Sequence, residues 1–197
     1  MNKWIALEGE FKKEKELIKF IGGDEPYKDV QTNETKNGSK YGILLFDEWF
    51  FNGAIEMTLE FDELNENDEA EIIYNYLGEN DFSCVGITNS LFKYECKNFN
   101  GMWNFNKAIG RTTLEKQKKY TLKAEIIGSI LTLFVNNVKV FSTYLLQPQN
   151  RTQIGIWVRS KSSITMYDYK VSYKKPKAFV VMQFGHCYDD LYQDVIK

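Results

Sequence analysis

From Glu8 to Tyr173 the chain alternates apolar and polar positions in short runs, about five to ten residues long, separated by polar or glycine-containing turns. This is the spacing of strands. Ile55, Met57, Leu59 and Phe61 alternate with polar neighbours, so residues 54–61 read as a half-buried strand with those four on one face. Ile43-Leu44-Leu45-Phe46 is instead a continuous apolar run. The acidic turn Asp62 to Asp68 leads into a strand from Ala70 to Leu77, and the turn Gly78 to Asp81 leads into strands at Phe82 to Thr88 and Leu91 to Cys96. Tyr120 to Ile126, Ile130 to Val135 and Val138 to Phe141 form a three-strand meander. Gly128-Ser129 breaks it first and Asn136-Asn137 second, a pair that tolerates the positive φ of a tight hairpin. Strands at Gln153 to Arg159 and Ile164 to Tyr173 complete the set. Upstream, Leu17, Ile18 and Phe20 lie too close together for one helical stripe, so Glu16 to Ile21 reads as a strand as well. The pattern predicts an all-β domain of antiparallel sheets, a sandwich or a barrel.

Beyond the linker 174–177 the pattern changes. Ala178 to Met182 is an unbroken apolar run of the kind a strand buried on both faces shows, and Gln183 to His186 is a turn. Tyr188, Leu191, Tyr192, Val195 and Ile196 then recur at helical spacing, with Asp189 and Asp190 in the first turn. Strand, turn and helix open an α/β unit, whose completion needs on the order of 100 residues. The expected organisation is a sandwich over 1–173, a linker over 174–177 and the start of a truncated second domain over 178–197. An uncovered apolar strand and helix stripe of this kind are expected to pack on their own sandwich, to pair with a second copy or to be poorly ordered, and the favoured outcome is a homodimer through the tail.

Composition narrows the function. Among 197 residues, 25 Lys and Arg stand against 27 Asp and Glu, a net charge of -2 that gives no electrostatic reason to coat nucleic acid or anionic lipid. The short basic runs Lys116 to Lys119 and Lys174 to Lys177 read as a solvated turn and a linker. No run approaches the roughly 18 apolar residues of a membrane span, and Trp4 to Leu7 meets Glu8 too soon for a secretory signal. Cys84, Cys96 and Cys187 are sparse and odd in number, so they read as reduced thiols and the protein as cytoplasmic, although Cys84 and Cys96 could meet across neighbouring strands. One histidine, His186, and no CxxC or HExxH spacing leave no metal site to assign, and no Gly-rich phosphate cradle indicates a cofactor. His186 and Cys187 lack a third partner for nucleophilic catalysis.

Tyr41 to Leu45, Asn52 to Met57, Tyr120 to Glu125, Leu133 to Asn137 and Gln153 to Arg159 fall in an order that resembles concanavalin A-like lectin and glucanase domains, in their laminin G-like branch. The resemblance covers about Glu8 to Tyr173 and implies a two-sheet jelly-roll sandwich whose concave face binds carbohydrate or protein. Lys177 to Gly185, followed by Asp190 to Ile196, resembles the opening of TIR-like, nucleoside 2-deoxyribosyltransferase-like domains, which usually show Pro where Gln183 stands. That resemblance implies a parent protein in which the sandwich senses a ligand for an effector. The effector would act on N-glycosidic bonds of nucleosides or nicotinamide dinucleotide in bacterial defence.

Glu66-Asn67-Asp68-Glu69-Ala70-Glu71 matches ExDxxE, with which laminarin-type glucanases of this fold place a nucleophile, a supporting Asp and an acid/base on one strand face. A regular strand projects Glu66 and Asp68 together, whereas Glu71 needs a bulge. The interleaved Asn67, Glu69 and Ala70 do not supply an apolar opposite face, and Asn65 to Asp68 suits a turn. The segment is therefore read as a solvated acidic loop, and no catalytic residue is assigned. Trp157 and Arg159 share parity on their strand and face away from the core positions Ile154, Ile156 and Val158. Two readings stand for that pair: stacking on a sugar ring with hydrogen bonds to its hydroxyls, or Trp157 packing beneath a loop while Arg159 pairs with an acid. Trp103, in a polar loop over Met102 to Phe105, and Tyr74 with Tyr76, on one strand face, are the other candidate ligand contacts. The expected function is a non-catalytic recognition or sensing module for a saccharide-like or protein ligand. A glycoside hydrolase and a self-association module are the rival classes.

Overall fold

The computed structural model describes residues 4–14, 17–29, 32–147 and 149–174. These form strands only: β1 (Trp4–Glu8), β2 (Phe11–Glu14), β3 (Leu17–Phe20), β4 (Asp24–Lys28), β5 (Thr35–Phe50), β6 (Gly53–Phe61), β7 (Glu69–Gly78), β8 (Asp81–Thr88), β9 (Tyr94–Phe99), β10 (Trp103–Ile109), β11 (Tyr120–Ile127), β12 (Ile130–Val135), β13 (Val138–Tyr144), β14 (Thr152–Ser160) and β15 (Ile164–Tyr173). They pair antiparallel into two sheets. One is eight-stranded, in the order β1-β5-β14-β7-β8-β9-β10 with β4 added on β5, and the other is seven-stranded, in the order β13-β12-β11-β6-β15-β3-β2. The all-β, two-sheet sandwich expected from the alternation is the architecture observed. The strand-turn-helix and the tail-mediated dimer expected for 178–197 lie outside the described residues.

The main core fills the space between the sheets. Ile55, Met57, Leu59 and Phe61 of β6 are fully buried there, facing Ile72 of β7, Val85 of β8 and Ile154, Ile156 and Val158 of β14. Each such side chain contributes about 1.5–3 kcal/mol by leaving water. Strands β6 and β11 alternate buried with half-buried positions because only one face is covered. Strands β7, β8 and β14 instead run buried residue after buried residue. The reason is a second, smaller apolar cluster on the outer face of the eight-stranded sheet, made of Ile43, Leu45, Ile73, Phe82, Cys84 and Trp157. This double cover also explains why Ile43-Leu44-Leu45 is continuous: neighbours point to opposite, equally dry faces.

Local chemistry sets the turns. Asn136 and Asn137 take φ of 50° and 64°, which closes the β12–β13 hairpin as their side chains permit. Three expectations change. The strand expected from Leu91 begins at Tyr94, after a turn that leaves Leu91 exposed. Met102 to Phe105 is not a loop, since Trp103 opens the edge strand β10. Tyr74 and Tyr76 do not share a face, because the pairing of β7 with β8 slips between Ile73 and Asn75. This bulge leaves Tyr74 in the main core and turns Tyr76 onto the outer cluster. Cys84 and Cys96 are both free, and they lie on opposite faces of the sheet, Cys84 in the outer cluster and Cys96 in the main core.

Candidate ligand-binding cleft

The outer face of the eight-stranded sheet carries charge as well as aromatic rings. Register places Trp157 beside Glu71, Arg159 beside Glu69, and Cys84 beside both Ile73 and Lys97. Lys97, almost fully buried, sits among three carboxylates, at 2.7 Å from Glu69, 3.3 Å from Glu95 and 3.5 Å from Glu71. Glu69 also accepts hydrogen bonds from the Trp157 indole N–H at 3.1 Å and from the Arg159 guanidinium. Burial opposes ionisation of Glu69, but Lys97 and Arg159 overcome it and hold its carboxyl below the usual range. Burial likewise works against the charge on Lys97, and Glu71 and Glu69 reverse the balance and hold its ammonium above the ordinary lysine value.

Glu71 differs from its neighbour. It is fully buried, its Oε2 accepts from the Cys84 thiol at 2.9 Å, and its Oε1 has no partner. Burial, opposed by Lys97 and reinforced by Glu69, raises its carboxyl to about 7. With Glu71 protonated, Lys97 and Arg159 balance Glu69 and Glu95. The cluster is then electrically neutral and roofed by Trp103, whose ring centroid lies 4.6 Å from the Lys97 ammonium.

The acidic motif is dispersed by this arrangement. Glu66 is exposed in its turn, as expected of a solvated loop. Asp68 and Glu71 are not: both are fully buried. Asp68 accepts from the Asn65 backbone N–H at 2.7 Å and from that of Lys161 at 3.3 Å, tying its turn to the one after β14. The strand starts at Glu69 rather than Ala70, which turns Glu69 and Glu71 onto the outer face and explains why neither is solvated.

Above the aromatic cluster lies a cleft of about 1040 Å³. Tyr41, Phe82, Phe99, Trp103 and Trp157 form its floor. The β4–β5 hairpin, with Tyr27 upon it, and the turns at the two ends of β7, around 65–67 and 79–80, complete its lining. Rings pack edge and tilted against each other, Trp157 lying 5.4 Å from Tyr41, 5.8 Å from Phe82 and 5.3 Å from Trp103 between centroids.

Of the candidate contacts, Trp157, Arg159 and Trp103 come together in this cleft. For the first two, the second of the two readings describes the geometry. Trp157 is only 7% exposed and its N–H is committed to Glu69, while Arg159 pairs with Glu69 and donates from Nε to the Asn67 carbonyl at 3.3 Å. Tyr76 packs on Phe82 at the margin, and Tyr74 turns its hydroxyl to Cys96 inside the core, away from the cleft. Two exposed rings that line the cleft were not singled out from the sequence: Tyr41 at 39% and Tyr27 at 50%. The parity of Tyr41 with Ile43 and Leu45 was the available signal. Lys97, a charge between Cys96 and Asn98 in a strand that is otherwise buried, was another.

Comparison with known proteins found no matching family model and no matching curated protein. Solved structures do match. The carbohydrate-binding module CBM66 from Bacillus subtilis superposes with a TM-score of 0.68 at 13% identity, over 86% of this chain and 94% of that one. A putative glycosyl hydrolase from Parabacteroides distasonis gives 0.56 at 10% identity, over 88% and 89%. A functionally unknown protein from Saccharomyces cerevisiae gives 0.53 at 11%, over 88% and 96%. At such identities the likeness is one of fold, the antiparallel two-sheet sandwich.

Proposed function

We propose that the chain is a non-catalytic saccharide-binding module and that the cleft over the outer face of the eight-stranded sheet is its site. The observation that carries this reading is the aromatic floor: Tyr41 and Trp103 are among the rings that line a cleft of about 1040 Å³ whose other lining residues are largely amides and carboxylates. Sugar rings offer apolar C–H faces to such rings and hydroxyls to such rims. The description of the CBM66 structure as a carbohydrate-binding module supports the assignment. Against glucanase-type hydrolysis stands the state of the strand acids, since of the ExDxxE residues only Glu66 lines the cleft and Asp68 is buried in its turn. Glu69 is saturated by Lys97, Trp157 and Arg159, and Glu71 is sealed from the cleft, so neither reaches a glycosidic oxygen. A glycan array with the wild type and Tyr41→Ala tests the reading. Saccharide binding that falls about tenfold or more in the variant supports it, and binding that ignores the substitution refutes it.

The finer part of the proposal is that the module reports to a TIR-like effector beginning at 178–197. Its support is the residue pattern of that segment alone. The reading frame downstream of Lys197 is the test: an α/β domain with a catalytic carboxylate supports the proposal, and its absence ends it.

A further inference from the structure

We infer that the cleft selects glycans bearing protonated amines over neutral ones and excludes uronates and other acidic sugars. This rests on the saccharide reading and concerns the ligand's charge. Four carboxylates, those of Glu8, Glu25, Glu66 and Glu79, line the cleft, and all four residues are exposed. They come from β1, β4 and the turns at the two ends of β7, and no ion pair engages any of them among the described residues. The cations facing them are already committed. Arg159 is held by Glu69, and Lys161 lies 2.9 Å from Asp24. The floor beneath contributes no net charge while Glu71 is protonated, so the rim sets the sign of the field. A cleft lined by one sign over low-dielectric walls concentrates the opposite charge.

The carboxylates also converge on one ring. Burial raises the Tyr41 phenol above its ordinary value, and Glu8, Glu25 and Glu79 raise it further, so three of the four act on this one ring, at the β5 side of the floor. An ammonium resting on the Tyr41 face meets the negative side of the aromatic quadrupole and the carboxylate field together. Tyr27, on the β4–β5 hairpin, is a second exposed ring lining the same cleft. A carboxylate on the ligand would meet the same field with the opposite sign. A metal ion is a poor alternative occupant, because no three Asp, Glu, His or Cys side chains gather as a cage among the described residues.

Calorimetric titration of the full chain with a β-1,4-glucosamine trimer, its N-acetylated counterpart, a galacturonate trimer and trilysine tests the inference. The glucosamine trimer is expected to bind about tenfold tighter than the N-acetylated one at low salt, with the preference collapsing in half-molar salt. Glu25→Gln with Glu79→Gln, both exposed, should lower glucosamine binding about five- to tenfold and equalise the two ligands, as the loss of two exposed ion pairs implies. Equal binding of the two trimers, or tightest binding of the uronate, overturns the charge inference and leaves the saccharide reading in place. Binding of trilysine alone, or of none of the four, overturns both.

Discussion

Replacing Lys97 by Met removes the ammonium at the centre of the outer-face cluster while keeping most of the side chain's volume. Three carboxylates within 3.5 Å then lose their common partner. With Glu71 protonated, the remaining charges are Glu69, Glu95 and Arg159, one negative charge in excess in a dry site. The cheapest relief is uptake of one proton by a carboxyl whose ordinary value is near 4.3, which at pH 7 costs about 3.5 kcal/mol and at pH 5 about 1 kcal/mol. The first figure agrees with the 3–5 kcal/mol typical of breaking a buried pair from one side. Urea denaturation of the wild type and Lys97→Met between pH 5 and 8 measures the difference. The expected result is a loss near 3.5 kcal/mol at neutral pH that shrinks on acidification. A loss below 1 kcal/mol at pH 7, or one that does not change with pH, would refute the view that Lys97 neutralises buried acids.

Glu71→Gln should show the reverse trend. Because the folded value is raised to about 7, the fold binds this proton more tightly than the unfolded chain does; Glu71's contribution is greatest below the ordinary carboxylate range and falls as pH rises to about 7, by about 3 kcal/mol. Glu69, whose value is lowered, works oppositely and loses its contribution as pH falls. The Gln variant is therefore expected to match the wild type near pH 5 and exceed it by about 2–3 kcal/mol at pH 8 in thermal or urea unfolding; a variant less stable at both refutes this. Gly86→Ala should destabilise by about 1–3 kcal/mol, since a Cβ there falls 2.4 Å from the Ala70 carbonyl and 2.6 Å from the Glu71 Cα, and the β7–β8 pair has to part to admit it. A neutral result in the same assay would mean that the close approach relaxes freely.

The strands covered on one face were legible because their alternation is a direct print of one dry and one wet side, as in β6 and β11. The doubly covered strands were less so. In β7, buried acids stand where a solvent-facing pattern puts exposed ones, and nothing local distinguishes Glu69 and Glu71 from loop carboxylates, since their partner Lys97 lies two strands away. The bulge at 73–75 is a pairing event, invisible to the periodicity that put Tyr74 beside Tyr76. Trp157 and Arg159 were placed on the right face by parity. What covers them, Trp103 from an edge strand and Glu69 from the next strand, follows from topology rather than from their own segment. Tyr41 escaped notice for the same reason: its value comes from the hairpin and turns that wall the cleft around it.

The most direct test of the cleft is where a bound glycan touches the protein. A nuclear magnetic resonance titration of the labelled chain with oligosaccharides from the array follows the indole N–H signals of Trp103 and Trp157 and the backbone amides of Tyr27, Tyr41 and Asn67 together. The expected result is saturable shifts centred on these positions, with little change at the hollow around Trp49, Arg151 and Tyr173. Shifts centred on that hollow, with Tyr41 and Trp103 unmoved, would contradict the assignment of the site.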